Sequence, residues 1–547
     1  MYTKTYSCSW KDRHQDLATL NEHILRWVAD AGPPVVLPLQ ALVYPLPKGM
    51  LRMVAEKYAA RLANERNAVI SAVVKSESDR VDKLMQTALS TPHPADVVMT
   101  DDEDNGVQAT TVDDAHHSND TGNRMRRRHQ QLRRLRLCYA SLGFGSHPHG
   151  QLMRGVFAFH NRSQVEVVVF ALSAHDGSVE RTDIETHADH TVELEHHPDP
   201  ASVMQSWRCD VAFYLDGYVQ RSRADLFSRR RRGGIAPLQV ACMYPGTLGN
   251  TADFDVVLAD SVAAPAELAP EMFSERVLLL PYSYYVNDYR RSYAHVLQQP
   301  GKLSRELLPP KHRFRFANFN QLFKTDALLV RVWANLLRRH PSAVLWQLKN
   351  PTVGARFLAE EFCAQGVAPD QLWWSDRVSI PEHLARGVAM AHDFSDGAGL
   401  GLDTLQYNAH TTATDLLWGG TPFLTVAGGA FAGRVAASLA LAHGVPGLLA
   451  HSVKEYEDVA AALSGASGTH RSSTPTTKRD MFRATAALQV KVERGGTRWN
   501  AASPAQFRWL QSQVAAGRAR APLFDTAAFV AALETRVRVA WERATGA

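Results

Sequence analysis

Two series of short apolar runs, separated by stretches of helical periodicity, constrain this chain more than any other feature. From about residue 131, Leu135–Ala140, Val165–Leu172, His190–Leu194, Val211–Leu215, Leu238–Cys242 and Phe254–Leu258 read as strands, with a helix over Gln151–Phe159. The alternation restarts with strands at Arg313–Phe319, Val344–Leu348, Leu372–Trp374 and Phe423–Val426. Helices at Leu328–Leu337, 354–365, Pro381–His392, Arg434–His443 and Glu455–Leu463 accompany them. Apolar runs without polar alternation belong to strands buried on both faces, and helical crossovers between them enforce parallel pairing. The expectation is an α/β protein with two doubly wound lobes, 131–290 and 313–505, and ligands bound beyond the carboxyl ends of the strands.

The rest of the chain divides around these lobes. Residues 1–75 read as a helical segment, with Leu17, Leu20, Ile24, Leu25 and Val28 on one stripe and Leu51, Val54, Tyr58 and Leu62 on another. Residues 76–130 are polar and aperiodic, the pattern of a disordered insertion. The Pro- and Gly-bearing stretch 291–312 reads as a linker, and 506–547 as closing helices.

The 547 residues are 45% hydrophobic, enough for more than one core, and a net charge of +5 demands no nucleic acid. Acidic residues (Asp101, Asp102, Glu103, Asp104) precede a basic run from Arg124 to Arg136, and a second basic cluster spans Arg229–Arg232. Such runs are ordinarily solvated faces, with nuclear import as the functional alternative. Five scattered cysteines without a CxxC argue for a reducing compartment and against a disulfide frame. The N-terminus lacks a signal-peptide core and no apolar run is long enough to span a bilayer, so the expected location is cytoplasm or nucleus, without membrane association.

Two segments carry chemistry. In Asn408-Ala409-His410-Thr411-Thr412-Ala413-Thr414-Asp415, two threonines fall on the first turn of a helix, whose free N–H groups and partial positive charge suit a diphosphate. Asp415 lies four residues past Thr411 on the same face. In Phe316-Ala317-Asn318-Phe319-Asn320-Gln321-Leu322-Phe323-Lys324, Gln321 and Lys324 are spaced to face one ligand. Alone, the first segment is a helix cap and Lys324 a solvated charge. Walker, GxGxxG, GxSxG and HExxH templates are missing, and the histidines at 187, 190, 196 and 197 lack metal-ligand spacing.

Together, in this order and about 90 residues apart, the segments resemble the sugar-nucleotide site of the O-linked N-acetylglucosaminyltransferases, glycosyltransferase family 41. The resemblance implies a GT-B fold and inverting, metal-independent transfer of N-acetylglucosamine from UDP-GlcNAc to Ser or Thr hydroxyls of intracellular proteins. By the same resemblance, Gln321, Lys324, His410, Thr411 and Thr412 hold the diphosphate, and Lys324 stabilises departing UDP. Asp415 would hold the ribose, while Val378, His383 and Arg386 would serve the nucleotide from the Pro381-Glu382-His383 helix. Tyr139-Ala-Ser-Leu-Gly-Phe-Gly-Ser-His147-Pro148 matches the acceptor-side segment and implies proton handling at His147, with a donor phosphate oxygen as the alternative acceptor. Asp216, Tyr244 and Tyr407 would line the acceptor and sugar pocket. Leu42-Val-Tyr-Pro-Leu resembles the helical lead-in to the catalytic region, and no tetratricopeptide repeat is visible.

The chain departs from the family pattern at Gly143 (usually Asp), Gln151 (His in animal members), Met243 (Gly), Ile380 (Lys), Tyr407 (Cys in animal members) and Ala409 (Gly). Two alternatives stay open on sequence alone. One is an O-fucosyltransferase using GDP-fucose, against which His410 and Asp415 weigh. The other is a degenerate sugar-nucleotide-binding protein, suggested by Gly143 and Ile380.

Overall fold

The structure, a computed structural model, describes residues 8, 10, 13–30, 33–64, 134–229, 233–298, 308–309, 313–392, 398–465 and 504–546. The first lobe is a seven-stranded parallel sheet of β1 (Leu135–Ser141), β2 (Val165–Ala171), β3 (His190–Glu193), β4 (Val211–Tyr214), β5 (Leu238–Ala241), β6 (Val256–Asp260) and β7 (Arg276–Leu280), ordered β3-β2-β1-β4-β5-β6-β7. The second contains β8 (Arg315–Asn318), β9 (Val344–Leu348), β10 (Leu372–Ser375), β11 (Gly399–Leu402), β12 (Phe423–Val426) and β13 (Leu449–Ala450), ordered β10-β9-β8-β11-β12-β13. The fold is the two-lobed GT-B arrangement. Tyr139 shows why β1 is central: it registers with Val169 on one side and Phe213 on the other, its ring stacks on Phe213, and it is fully buried.

In each sheet the strand order reverses once, between β1 and β4 and between β8 and β11. Loops leaving those four strands diverge and open a crevice, the usual ligand position in doubly wound sheets. The helices that matter for the site are α1 (Arg13–Ala29), α2 (Pro148–Phe159), α3 (Ile380–His392), α4 (Thr411–Gly419), α5 (Pro504–Arg520) and α6 (Thr526–Thr545). α5 packs on α4, where the Arg518 guanidinium donates to the Gly419 carbonyl at 2.6 Å. α6 crosses back to the first lobe, placing the Glu534 carboxylate 2.8 Å from Nδ1 of His160. The last two helices together thus tie the lobes.

Several expectations need correction. Cys138 of β1 and Cys209, just before β4, form a buried disulfide with Cα atoms 6.0 Å apart, although their spacing carries no disulfide signal; Cys8, Cys242 and Cys363 are free. On α1 the buried stripe is Leu20, Ile24 and Trp27, whereas Leu25 is exposed. β7, an edge strand, adds to the expected set; its Val277–Leu280 run is apolar in the sequence as well. The helix Val179–His187 is also missed by periodicity, because it buries only Arg181 and Ile184 and depends on its Ser178 cap. The helix Tyr289–Ser292 runs into the expected linker and Ala294–Gln298 forms a 3-10 turn within it; 299–307 and 310–312 lie outside the described residues. The insertion 76–130, the acidic run and most of the basic run also lie outside them. Of the basic residues described, Arg136 pairs with Glu166 and Arg229 with Asp255. No helix among the described residues is long and apolar enough to cross a membrane.

Candidate active site

Between the lobes lies a cleft of about 490 Å³. Its first-lobe wall comes from the loops after β1, β4 and β5 and carries His147, His149, Asp216, Met243 and Tyr244. The second-lobe wall comes from the loops after β8 and β11 and carries Asn320, Gln321, Lys324, Tyr407, His410, Thr411 and Thr412. Leu39, Gln40 and Val43 of the N-terminal segment close one side. Among the residues singled out in the sequence, these positions bring together His147, Asp216, Tyr244, Gln321, Lys324, Tyr407, His410, Thr411 and Thr412.

Lys324 ends a short 3-10 turn, Leu322–Lys324, for which Gln321 is the N-cap. Its Nζ donates to the Asn408 carbonyl at 2.9 Å and sits 3.9 Å from the centre of the Tyr407 ring. It makes no ion pair among the described residues. Burial pushes its pKa down to about 7, only partly opposed by Asp403. A cation held by a carbonyl and a ring face, and not by a carboxylate, is left short of counter-charge that a bound anion can supply.

Asp403 organises the loop beneath it. Its Oδ1 accepts from the backbone N–H groups of Thr404 and Ala409, each at 2.7 Å, and Oδ2 from the Thr425 hydroxyl at 2.6 Å. Burial lifts this carboxyl to about 7 against those hydrogen bonds. The loop so stapled delivers Tyr407, Asn408 and His410 to the cleft. His410 is the N-cap residue of α4, and its Nε2 lies 3.2 Å from the Ala432 carbonyl. Burial first, then Lys324, keep its ring neutral. The Thr411 hydroxyl meets the Tyr285 hydroxyl at 2.7 Å, so the first turn of α4 is fixed by the opposite lobe.

Four expected donor residues do not line the cleft. Asp415 is taken by the Tyr289 hydroxyl and by His383 Nε2, the latter at 3.2 Å, because the second turn of α4 packs against the first lobe. His383 lies edge-on to Phe319. Arg386 is 1% exposed, its guanidinium 5.8 Å from the Phe319 and Trp346 rings and donating to the Asp376 carbonyl. Val378 sits half-buried in the loop before α3. Ile380 begins α3 away from the cleft, where the exposed Arg377 supplies a cation instead.

The departures on the first-lobe wall have local causes. A Cβ on Gly143 would stand 2.3 Å from His147 Nδ1, so the glycine makes room for that ring. His147 caps α2, its Nδ1 accepting from the His149 N–H at 3.2 Å. Burial, then the neighbouring His149, lower its pKa to about 4 despite Asp216. Met243 adopts φ 61°, the left-handed region, which explains why glycine suits that position. Sequence reasoning passed over His149, Tyr285, Arg377 and Asn350. His149 stood two residues from His147 in a segment already singled out, and only its pairing with a distant loop gives it meaning.

The sequence profile of glycosyl transferase family 41 matches residues 115–306 and 301–489. A probable UDP-N-acetylglucosamine–peptide N-acetylglucosaminyltransferase SEC of Arabidopsis thaliana is 31% identical over 472 residues, covering 85% of this chain and 42% of the relative. The UDP-N-acetylglucosamine–peptide N-acetylglucosaminyltransferase of Caenorhabditis elegans is 25% identical over 445 residues, covering 61% and 37%. This chain therefore spans less than half the length of these relatives. Among solved structures, a point mutant of the Thermobaculum terrenum O-GlcNAc transferase superposes with a TM-score of 0.56 at 24% identity, covering 76% of this chain and 70% of the other, which supports the fold. With two parallel-sheet lobes facing a cleft that carries both segments, the chain belongs to glycosyl transferase family 41.

Proposed function

We propose that this protein transfers N-acetylglucosamine from UDP-GlcNAc to serine or threonine hydroxyls of proteins, with inversion at the anomeric carbon. The observation that carries the reading is Lys324, an ammonium without a carboxylate partner among the described residues, beside the N-terminus of α4 on one wall of the cleft. Those groups fit a leaving diphosphate, whose charge grows as the glycosidic bond breaks and is stabilised most in a partly desolvated site. Gln321, Thr411 and Thr412 add donors around it, and Arg377 adds a second cation at the rim. Lys324 and the helix end serve the diphosphate in place of a metal ion, so transfer is expected to survive chelator. The names carried by the Arabidopsis and worm relatives support a UDP-GlcNAc donor and peptide acceptors.

His383 and Arg386 pack on Phe319 and Asp415 pairs with His383, and we infer that these residues, with Val378, shape the nucleotide pocket through Phe319 and α4. Acceptors in the cytoplasm or nucleus fit the three free cysteines, and the Cys138–Cys209 disulfide weighs the other way. The test is transfer from radiolabelled UDP-GlcNAc, UDP-glucose and GDP-fucose to a Ser/Thr peptide library, with and without chelator. Incorporation from UDP-GlcNAc alone is expected. Incorporation from GDP-fucose alone, or UDP binding without transfer to any peptide, overturns the reading.

A further inference from the structure

Opposite Lys324, the cleft wall holds a constellation assembled from three separate segments. Asp216, 1% exposed, accepts at Oδ1 from the Ser141 hydroxyl at 2.6 Å and at Oδ2 from the Leu142 N–H at 2.7 Å. His149 Nδ1 lies 3.1 Å from the same Oδ1 and 3.2 Å from Ser141 Oγ, which itself accepts from the Gly143 N–H at 2.9 Å. Since Ser141 spends its proton on the carboxylate, His149 must carry its own on Nδ1. The lone pair is then on Nε2, which makes no hydrogen bond among the described residues. A carboxylate that fixes the tautomer and orientation of an imidazole, and stabilises the imidazolium, is the arrangement that makes a histidine a general base.

The neighbouring His147 has the opposite arrangement. Its Nδ1 lone pair receives the His149 N–H as the cap of α2, so its remaining proton sits on Nε2. The ring of His147 lies 4.9 Å from that of His149. Both histidines and Asp216 line the cleft, 9% of His149 being exposed.

We propose that His149, oriented by Asp216, is the residue that takes the proton from the acceptor hydroxyl. The proposal rests on the transferase reading above. As the serine or threonine oxygen bonds to the anomeric carbon, the bond from that carbon to the β-phosphate oxygen breaks and UDP leaves with the bonding pair. The hydroxyl proton passes to His149 Nε2, and the imidazolium later returns it to water. Asp216 acts through the imidazole and is a positioning residue.

The other titratable groups facing this corner are His147 on the same turn, and Lys324, Arg377 and His410 across the cleft, with Tyr244, Tyr285 and Tyr407 on its walls. Tyr214 and Cys242 lie behind Asp216, both kept neutral by burial and then by that carboxylate.

The experiment is the pH profile of kcat/KM for wild type, His149→Asn, Asp216→Asn and His147→Asn, with UDP affinity measured by calorimetry on each. Wild-type activity is expected to fall on the acid side, as it does for any reaction that needs an unprotonated general base. His149→Asn is expected to lose ~10²- to 10⁴-fold in kcat and to lose that acid limb, while UDP affinity stays within about twofold. Asp216→Asn can donate to Nδ1 and move the proton to Nε2, so kcat falls without loss of UDP binding; a merely structural aspartate would change stability but not the profile. His147→Asn is expected to retain the acid limb. The proposal is overturned if His149→Asn keeps the limb with a rate within about threefold of wild type, or if His147→Asn removes it. Failure of the wild type to bind UDP or transfer sugar would instead break the transferase reading.

Discussion

The two walls of the cleft are built on opposite electrostatic principles. On the second-lobe wall the principal cation, Lys324, rests on a carbonyl and a π face and has no ion pair among the described residues. On the first-lobe wall the principal acid, Asp216, is already satisfied by a serine, an N–H and a histidine. One wall lacks counter-charge and is arranged for an anion that arrives with the ligand. The other is complete in itself and arranged to pass a proton. A site that must stabilise a leaving group and accept a proton needs both, separated by the width of the substrate.

The comparison breaks most visibly at Lys324. Lys324→Ala is expected to lower turnover by ~10²- to 10³-fold, the scale for removing one preorganised charge-stabilising group, with little change in melting temperature. A near-wild-type rate would show that the wall does not act on the leaving diphosphate. The wild type offers a second readout through pH. With its pKa pushed down to about 7 by burial, Lys324 is protonated below that pH and largely neutral above it. A bound diphosphate favours the protonated form, so UDP affinity should be flat below about pH 7 and fall by about tenfold per pH unit above it. Calorimetry in buffers of different ionisation enthalpy should show one proton taken up on the alkaline side, and Lys324→Ala should abolish that uptake.

Next in size is Asp403, which holds the second-lobe wall together without reaching the ligand. Asp403→Ala strands the N–H groups of Thr404 and Ala409 in a buried loop, at about 1–3 kcal/mol for each unsatisfied donor. Asp403→Asn keeps an acceptor oxygen for them and should lose less than half as much. Thermal unfolding of both variants checks the order. Equal losses would show that the charge of Asp403, and not its acceptor geometry, holds the loop.

Gly143→Asp tests the first-lobe wall. The new Cβ would collide with His147 Nδ1, so the ring must leave its capping position. The expected stability loss is about 1 kcal/mol, the usual worth of a helix cap, with a reduction in transfer of about tenfold as the loop holding Ser141 and His149 shifts. Unchanged stability would mean that the His147 cap contributes nothing.

The unequal legibility of the two walls in the sequence follows from how each is assembled. Gln321 and Lys324, or His410, Thr411 and Thr412, lie within single turns, so chain spacing alone places them on one ligand. Ser141, His149 and Asp216 come from a strand end, a helix first turn and a loop after β4; nothing short of strand order reveals that β1 and β4 are neighbours. The sheets were legible for a related reason. Runs such as Val167–Ala171 are buried on both faces and leave an unbroken apolar trace. Helical spacing gives Asp415 a face but not what that face packs against, and the resemblance that implies a nucleotide role for Arg386 carries no packing either; here they meet Tyr289, Phe319 and Trp346. The Cys138–Cys209 bond was invisible for the reason that hid the triad, since it joins neighbouring strand positions far apart in the chain.

The walls also differ in backbone strain, and this gives the smallest effect. All non-glycine residues with positive φ among the described ones (Cys8, Arg208, Arg221, Met243 and Tyr282) precede the second lobe, and Met243 alone of these lines the cleft. An L-residue in the left-handed region pays about 1–2 kcal/mol that glycine does not. At ordinary helix or strand positions the order reverses, and glycine is worse than alanine by about 0.5–1 kcal/mol. Met243→Gly also loses the buried thioether side chain, so comparison with wild type would mix packing and strain. Comparison with Met243→Ala removes most of the packing difference, because both variants lack the long side chain. Met243→Gly should therefore be the more stable of the two by about 1 kcal/mol, a shift of about 2–4 °C in melting temperature for a lobe of this size. If Met243→Ala proves equal or more stable, the backbone at 243 is not held in the left-handed region in solution, and the strain belongs to neither wall.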